Sequence, residues 1–118
     1  MSFYYLATPY TRFPGGIEAA FIAACEQTAL LVRHRIPIYS PIAATHPVAI
    51  HGGLDPMDHT IWLPHDKPMM RAASGLIVCM LPTWKDSYGI AFEQDEFDRM
   101  GKPILFMEPG IVPASLLG

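Results

Sequence analysis

The chain has 118 residues, of which 51% are hydrophobic and 16% charged, and its formal net charge is −3. This length predicts one domain with a proper core, and the composition excludes a disordered chain. The lack of a basic stripe argues against binding to nucleic acid polymers. No apolar run approaches the roughly 20 residues of a membrane span, and the first residues do not follow the signal-peptide pattern.

The two cysteines, Cys25 and Cys79, fall within apolar patterns rather than in loops. They are predicted to be buried free thiols, as expected in a reducing compartment. The sequence therefore predicts a cytoplasmic protein without a membrane partner.

Strand and helix patterns alternate from the start of the chain. Residues 3–7 form a short apolar run that predicts a strand, followed by a turn-rich loop over residues 8–16. Apolar residues recur at helical spacing from Ile17 to about Arg33. A second short strand is predicted over residues 36–39, ending at Ser40-Pro41.

The segment from Ser40 to Pro64 is predicted to be the least regular part of the chain. A loop of this length in a small domain is typical of a functional lid, or else indicates an element that the pattern hides, here with room for one short helix. The next helix is predicted over Asp66–Ala73, with Asp66 at its beginning, where an acid stabilises the helix dipole.

The second half of the chain indicates a parallel sheet. Residues 75–81 are a nearly continuous apolar run, as in a strand buried on both faces. A helix is predicted over about 88–100, capped by Asp86 or Ser87, and a strand over 104–107. Strands that alternate with helices give a parallel sheet with right-handed crossovers. The sequence thus predicts an α/β fold of four strands, with a fifth in the Ser40–Pro64 segment or the tail as the alternative.

The segment from Trp84 to Glu93 is the clearest candidate for chemistry. It follows a predicted buried strand, and ligands bind beyond the carboxyl ends of strands in such sheets. Gly89 precedes Glu93 by one helical turn, so its missing side chain opens space above that carboxylate. A carboxylate in a partly apolar cleft can serve as nucleophile or general base. The alternative is structural: a solvated Glu93, a capping Asp66 and a core Tyr5.

Histidines and acids between residues 46 and 66 raise a metal-site hypothesis. The side chains of suitable type are His46, His51, Asp55, Asp58, His59, His65 and Asp66. Their spacing matches no zinc motif, and phosphate-binding glycine loops are absent. The sequence therefore predicts no metal and no cofactor, and a metal-assisted hydrolase stays the weakest alternative.

Three segments together resemble the nucleoside 2-deoxyribosyltransferase-like superfamily and, within it, the DUF1937-type branch. They are Tyr4-Tyr5-Leu6-Ala7-Thr8-Pro9-Tyr10, the Asp66 helix before the 75–81 strand, and Ser87-x-Gly89-x-x-x-Glu93 with Gly101-Lys102-Pro103-Ile104. Ser40-Pro41-Ile42 and Thr45-His46-Pro47 are also similar to this group. The resemblance spans nearly the whole chain. It implies a flavodoxin-like three-layer sandwich and cleavage or transfer of N-glycosidic bonds in nucleosides or nucleotides.

The resemblance also implies roles for individual residues. Glu93 matches the nucleophile, Asp66 the acid that assists at the base or the sugar, and Tyr5 the tyrosine beside the nucleophile. Ser87 matches the serine with which related 2′-deoxynucleoside 5′-phosphate N-hydrolases bind a 5′-phosphate. The other predicted substrate-binding residues are Thr8, Tyr10, Ser40, Pro41, His46, Trp84 and Gly89.

Departures from those hydrolases concern mainly the loops. Residues 8–12 lack their Gly-Ser-Ile-Arg-like sequence, Ala91 replaces a second glycine, and Trp84, in a longer loop, is predicted to cover or narrow the pocket. Tyr10, Phe13 and Trp62 are candidates to stack on a base.

The predicted partner is a small-molecule nucleoside or nucleotide, and a homodimer or larger homo-oligomer is expected. A non-catalytic nucleotide-binding module is the second hypothesis.

Overall fold

A parallel sheet of four strands forms the centre of the fold, in a computed structural model that describes residues 2–118. The strands are β1 (Tyr4–Ala7), β2 (Ile38–Tyr39), β3 (Gly75–Cys79) and β4 (Ile104–Met107). Their spatial order is β2-β1-β3-β4, and every neighbouring pair is parallel. The four predicted strands are confirmed. Within residues 2–118, neither the Ser40–Pro64 segment nor the tail adds a fifth.

Within residues 2–118, four α-helices connect and cover the strands. They are α1 (Ile17–Arg33), α2 (Pro41–Gly52), α3 (His59–Ala72) and α4 (Tyr88–Arg99). The predictions for α1 and α4 are confirmed, and Ser87 is the cap of α4, since its hydroxyl accepts a hydrogen bond from the Ile90 N–H at 3.2 Å.

The prediction of a long irregular segment over residues 40–64 is wrong, because most of it is helical. Ser40 caps α2 by accepting from the Ala43 N–H at 3.1 Å, and Pro41 suits the first helical position. Pro47 lies inside α2. Since a proline inside a helix removes a backbone donor, its presence favoured a loop in the sequence pattern.

The predicted start of the Asp66 helix is also wrong. α3 begins at His59 and is capped by Asp58, whose carboxylate accepts from the Thr60 N–H at 3.0 Å. Pro64, which suggested a boundary, lies within the helix. Asp66 therefore lies in the middle of α3 and does not cap it.

The sheet is covered on both faces, as its continuous apolar strands require. Alternating residues of β1 and β3 point to opposite sides. Tyr5 and Leu76 pack with residues of α3 and α4, whereas Leu6 and Ile77 pack with Leu31 of α1 and with the tail. This arrangement confirms the predicted flavodoxin-like three-layer sandwich.

Lys102 holds the end of α3 against the sheet. Its ammonium group donates to the backbone carbonyls of Met70 at 3.2 Å, Arg71 at 2.5 Å and Ala73 at 2.7 Å. These carbonyls have no partner within the helix ladder at its end. We expect Lys102→Met to lower the free energy of unfolding by about 1–2 kcal/mol, measured by chemical denaturation. Lys85→Met, at an exposed lysine, is the control, and an equal loss there would contradict this role for Lys102.

Candidate active site

The strand order creates a crevice at the carboxyl ends of β1 and β3. From β1 the chain moves to β2 on one side, then returns across the sheet to β3 on the other side. Connections from such a switch point diverge and leave a space between them. A cleft lies there, lined by the loop after β1, by α2 and α3, and by the beginning of α4.

Tyr5, Asp66 and Glu93 all line this cleft. They converge because Tyr5 points from β1 toward the layer that holds α3 and α4, and these helices carry the two acids. Tyr5 is fully buried, while both acids are partly accessible through the cleft. The structure therefore brings together the three residues predicted as catalytic.

Burial raises the pKa of both acids. The pKa of Glu93 rises from 4.5 to about 8, since desolvation and the negative charge of Asp66 outweigh the opposing effect of the Tyr5 phenol. The pKa of Asp66 rises from 3.8 to about 6, again through desolvation, against smaller opposing effects of His65 and Tyr39. With pKa values of about 8 and about 6, the two acids together carry one proton near neutral pH, held mostly by Glu93.

The two phenols beside the acids stay protonated. Burial, followed by the charges of Glu93 and Asp66, raises the pKa of Tyr5 far above its ordinary value. Burial and the charge of Asp66 raise the pKa of Tyr39 to about 12. Both phenols are therefore hydrogen-bond donors over the whole physiological range.

Several buried polar atoms at the cleft have no hydrogen-bond partner within the described residues. They are Tyr5 Oη, Thr8 Oγ1 and Asp66 Oδ1 in the lining of the cleft, and Tyr39 Oη beside it. The phenols face the two acids closely enough to influence their pKa values, yet neither reaches full hydrogen-bond geometry. Since an unpaired buried polar atom is costly, these atoms are natural contacts for a ligand or water.

The structure places most of the predicted substrate-binding residues in the lining. Thr8, Tyr10, Pro41, His46, Ser87 and Gly89 line the cleft, as does Trp62. At Gly89 an added Cβ would meet only Ser87 Oγ, at 3.9 Å. The space expected above Glu93 is therefore open.

Ser40, Trp84 and Phe13 lie outside the lining. Ser40 is buried as the cap of α2, and Phe13 packs against the opposite face of the sheet. Trp84 packs on Phe106, with ring centroids 5.9 Å apart. The expectation that Trp84 narrows the pocket is wrong, because its ring is engaged beside β4.

Two residues in or beside the cleft were missed by the sequence reasoning. Tyr39, at the end of β2, lies beside Asp66, and a phenol at the carboxyl end of a predicted strand was the available signal. Glu18 binds His46 with Nε2 to Oε2 at 2.8 Å, a pairing between α1 and α2 that no local pattern indicates.

The histidines and acids do not form a metal cluster among residues 2–118. No three His, Cys, Asp or Glu side chains gather as a ligand set there. His46 uses both ring nitrogens, one toward Glu18 and the other toward the Tyr10 hydroxyl. The metal-assisted alternative therefore has no ligand set in this part of the chain.

Tyr39 provides a test of the electrostatics of the acid pair. Tyr39→Phe removes the phenol that lowers the pKa of Asp66, so we expect this pKa to rise above about 6 while burial stays the same. Carboxyl carbon NMR titration of Asp66 measures the change directly. Tyr4→Phe, on the opposite sheet face, should leave the titration unchanged. A downward shift in Tyr39→Phe would contradict the assignment.

These features define a class of protein. It is an all-parallel α/β sandwich with two carboxyl groups in a cleft at the ends of its strands. Residues 2–109 match the family described as "Domain of unknown function (DUF1937)", and the chain belongs to that family. The matched range includes Tyr5, Asp66 and Glu93. No curated protein matches the chain. Across residues 2–118, every helix is too short or too polar to cross a membrane.

Proposed function

We propose that the protein cleaves or transfers the N-glycosidic bond of a nucleoside or nucleoside 5′-monophosphate. The observation that supports this most is the convergence of the Glu93 and Asp66 carboxyls with the Tyr5 phenol in one cleft. Cleavage of a glycosidic bond passes through an oxocarbenium-like sugar, which one carboxylate captures while a proton donor helps the leaving group depart. Two carboxyls that together carry one proton near neutral pH supply both requirements.

In the proposed reaction, ionised Glu93 attacks the anomeric carbon and forms an ester with the sugar. The bond from that carbon to the base nitrogen breaks, its electron pair stays on the base, and the base takes the proton of the pair through Asp66. Water, or a second base, then attacks the anomeric carbon and gives its proton to the Asp66 carboxylate, while the ester bond breaks and the Glu93 carboxylate is restored. Tyr5 donates toward Glu93 and orients it.

The pKa order determines which form of the pair is reactive. Glu93, with the higher pKa, holds the single proton of the two acids for most of the time, whereas attack requires the proton on Asp66. The reactive arrangement is therefore the minor tautomer of the singly protonated pair. Ionised Asp66 in the major form is also a good acceptor for a sugar hydroxyl, which would hold the substrate beside Glu93.

The direct experiment measures release of free base from a panel of nucleosides and their 5′-monophosphates. Chromatography separates the base from the substrate, and a second base added to the mixture distinguishes transfer from hydrolysis. Base release by the wild-type chain and its loss in Glu93→Ala support the proposal. Full activity of Glu93→Ala on an accepted substrate would end it.

Ser87 is the proposed contact of the 5′-phosphate. It lines the cleft at the beginning of α4, where free backbone N–H groups and the helix dipole favour an anion. We expect Ser87→Asp to keep the helix cap but to lower kcat/KM for monophosphates by about tenfold or more, because the added carboxylate repels the phosphate. Activity on free nucleosides should change little. Equal losses for both substrate types would contradict a phosphate site.

The second candidate is a module that binds a nucleotide without chemistry. It is favoured by the raised pKa of Glu93, since a neutral carboxyl can bind a ligand as a hydrogen-bond donor. This function predicts a higher Tm with a nucleotide present and no product after prolonged incubation. Product formation that depends on Glu93 excludes it.

A further inference from the structure

A line of three side chains connects the protein surface to the wall of the cleft. Glu18 Oε2 lies 2.8 Å from His46 Nε2, and His46 Nδ1 lies 2.5 Å from the Tyr10 hydroxyl. The Glu18 side chain is 68% exposed, His46 is 3% exposed, and Tyr10 lines the cleft. Since these residues come from α1, α2 and the loop after β1, the fold itself assembles the line.

The imidazole ring of His46 is held in one orientation. Phe21 stacks on it with ring centroids 4.6 Å apart and an interplanar angle of 21°, and the Tyr10 ring meets it edge-on at 80°. A half-turn of the ring would break both hydrogen bonds, and any smaller turn would also break the stack. The two nitrogens therefore keep different partners.

Glu18 determines which nitrogen carries the proton. An ionised carboxylate only accepts hydrogen bonds, so Nε2 of His46 donates to it. In the neutral ring Nδ1 is then an acceptor, and the Tyr10 hydroxyl donates to it. Burial, followed by the negative charge of Glu18, raises the pKa of Tyr10, which keeps the phenol protonated. The Tyr10 oxygen has its proton committed to His46, so only its lone pairs are available in the cleft.

We propose that Tyr10 accepts a hydrogen bond from an N–H or O–H group of the ligand, and that Glu18 and His46 are positioning residues that fix this polarity. The inference rests on the proposed function for the class of ligand, a nucleoside or its 5′-monophosphate. Such ligands offer donors of this kind in two places, an amino or ring N–H group on the base and a hydroxyl on the sugar. A ligand with only an acceptor at this position meets lone pairs and binds more weakly.

The first test needs no ligand. Nitrogen NMR of the imidazole side chains is expected to show the His46 proton on Nε2 and no proton on Nδ1. Glu18→Ala should change the His46 nitrogen signals, whereas Glu26→Ala, at an exposed acid on the same helix, should not. A proton on Nδ1, alone or together with one on Nε2, overturns the proposal, because Tyr10 would then accept from His46.

The second test measures binding to the Glu93→Gln variant, so that turnover does not interfere. Two matched pairs of nucleotides are used: 2′-deoxyadenosine 5′-monophosphate with its analogue lacking the amino group, and the same nucleotide with its analogue lacking the 3′-hydroxyl. We expect the compound without the donor to bind about tenfold more weakly in one pair. The pair that shows this difference tells whether the hydrogen-bond donor lies on the base or on the sugar.

Tyr10→Phe in the same background should erase this discrimination, while Tyr4→Phe should keep it. Discrimination that survives in Tyr10→Phe, or that is absent from both pairs in the parent variant, overturns the inference and leaves the proposed function standing. If neither these compounds nor any nucleotide of the base-release panel binds, the proposed function and the ligand assignment fall together. The tautomer of His46, measured in the first test, still shows independently whether Glu18 fixes the position of the His46 proton.

Discussion

Glu93→Gln is expected to abolish base release and at the same time to make stability less dependent on pH. The amide cannot attack the anomeric carbon, so the rate should fall on the order of 10³-fold or more. The amide has almost the same shape as the carboxyl, so the cleft should keep its structure. Base release measured by chromatography gives the first effect, and Tm measured between about pH 4 and pH 9 gives the second.

The sign of the stability effect follows from the two pKa values of Glu93. Its ordinary pKa is 4.5, and its pKa in the fold is about 8. As pH rises between these values, the unfolded chain releases this proton while the folded chain retains it, so wild-type stability falls. Above about pH 8 this loss of wild-type stability is complete. Glu93→Gln lacks this contribution, and its Tm should exceed that of the wild type increasingly through this window.

Asp98→Asn is the matched control, since Asp98 is an exposed acid on the same helix. It should keep both the activity and the pH dependence of the wild type. A Glu93→Gln variant with wild-type turnover would contradict the nucleophile. A variant that is inactive but follows the wild-type Tm profile would instead contradict the buried, protonated state of Glu93.

The sheet was predictable from sequence because each strand depends on a local signal. Continuous apolar runs such as residues 75–79 can be buried only between two helical layers, and they were assigned correctly. The 40–64 segment was not, because Pro47 and Pro64 occupy helix interiors that such residues normally break. Ser40 and Asp58 cap these helices, and packing of α2 on α1 and of α3 on α4, which no local pattern indicates, stabilises them despite the prolines.

The candidate site was predictable where it depends on strand ends and on the resemblance of short motifs. Tyr5 and Glu93 lie where those motifs placed them, and Gly89 leaves the expected opening. Asp66 also lies in the cleft, but it does so as a residue in the middle of α3 and not, as predicted, at the beginning of a helix. The pairing of Glu18 with His46 could not be predicted, because it joins two helices whose contact is purely tertiary.

Asp66→Asn is expected to lower kcat/KM by about 10²- to 10⁴-fold and to change the shape of its pH profile. In the wild type the reactive pair carries one proton, so kcat/KM should rise through about pH 6 and fall through about pH 8. Without Asp66, Glu93 loses the negative charge that raises its pKa. The remaining activity should therefore rise with pH through a lower value and show no fall near pH 8.

The charge of the leaving base distinguishes proton donation by Asp66 from a merely structural role. A nucleotide of 7-methylguanine already carries a positive charge on its base, so the base departs without receiving a proton. Asp66→Asn should recover most of its lost rate on this substrate, whereas Glu93→Gln should not, because capture of the sugar is still required. Equal deficits of Asp66→Asn on charged and neutral bases would contradict proton donation. Asp66 would then act only by holding the sugar, as its mostly ionised state in the unliganded cleft also permits.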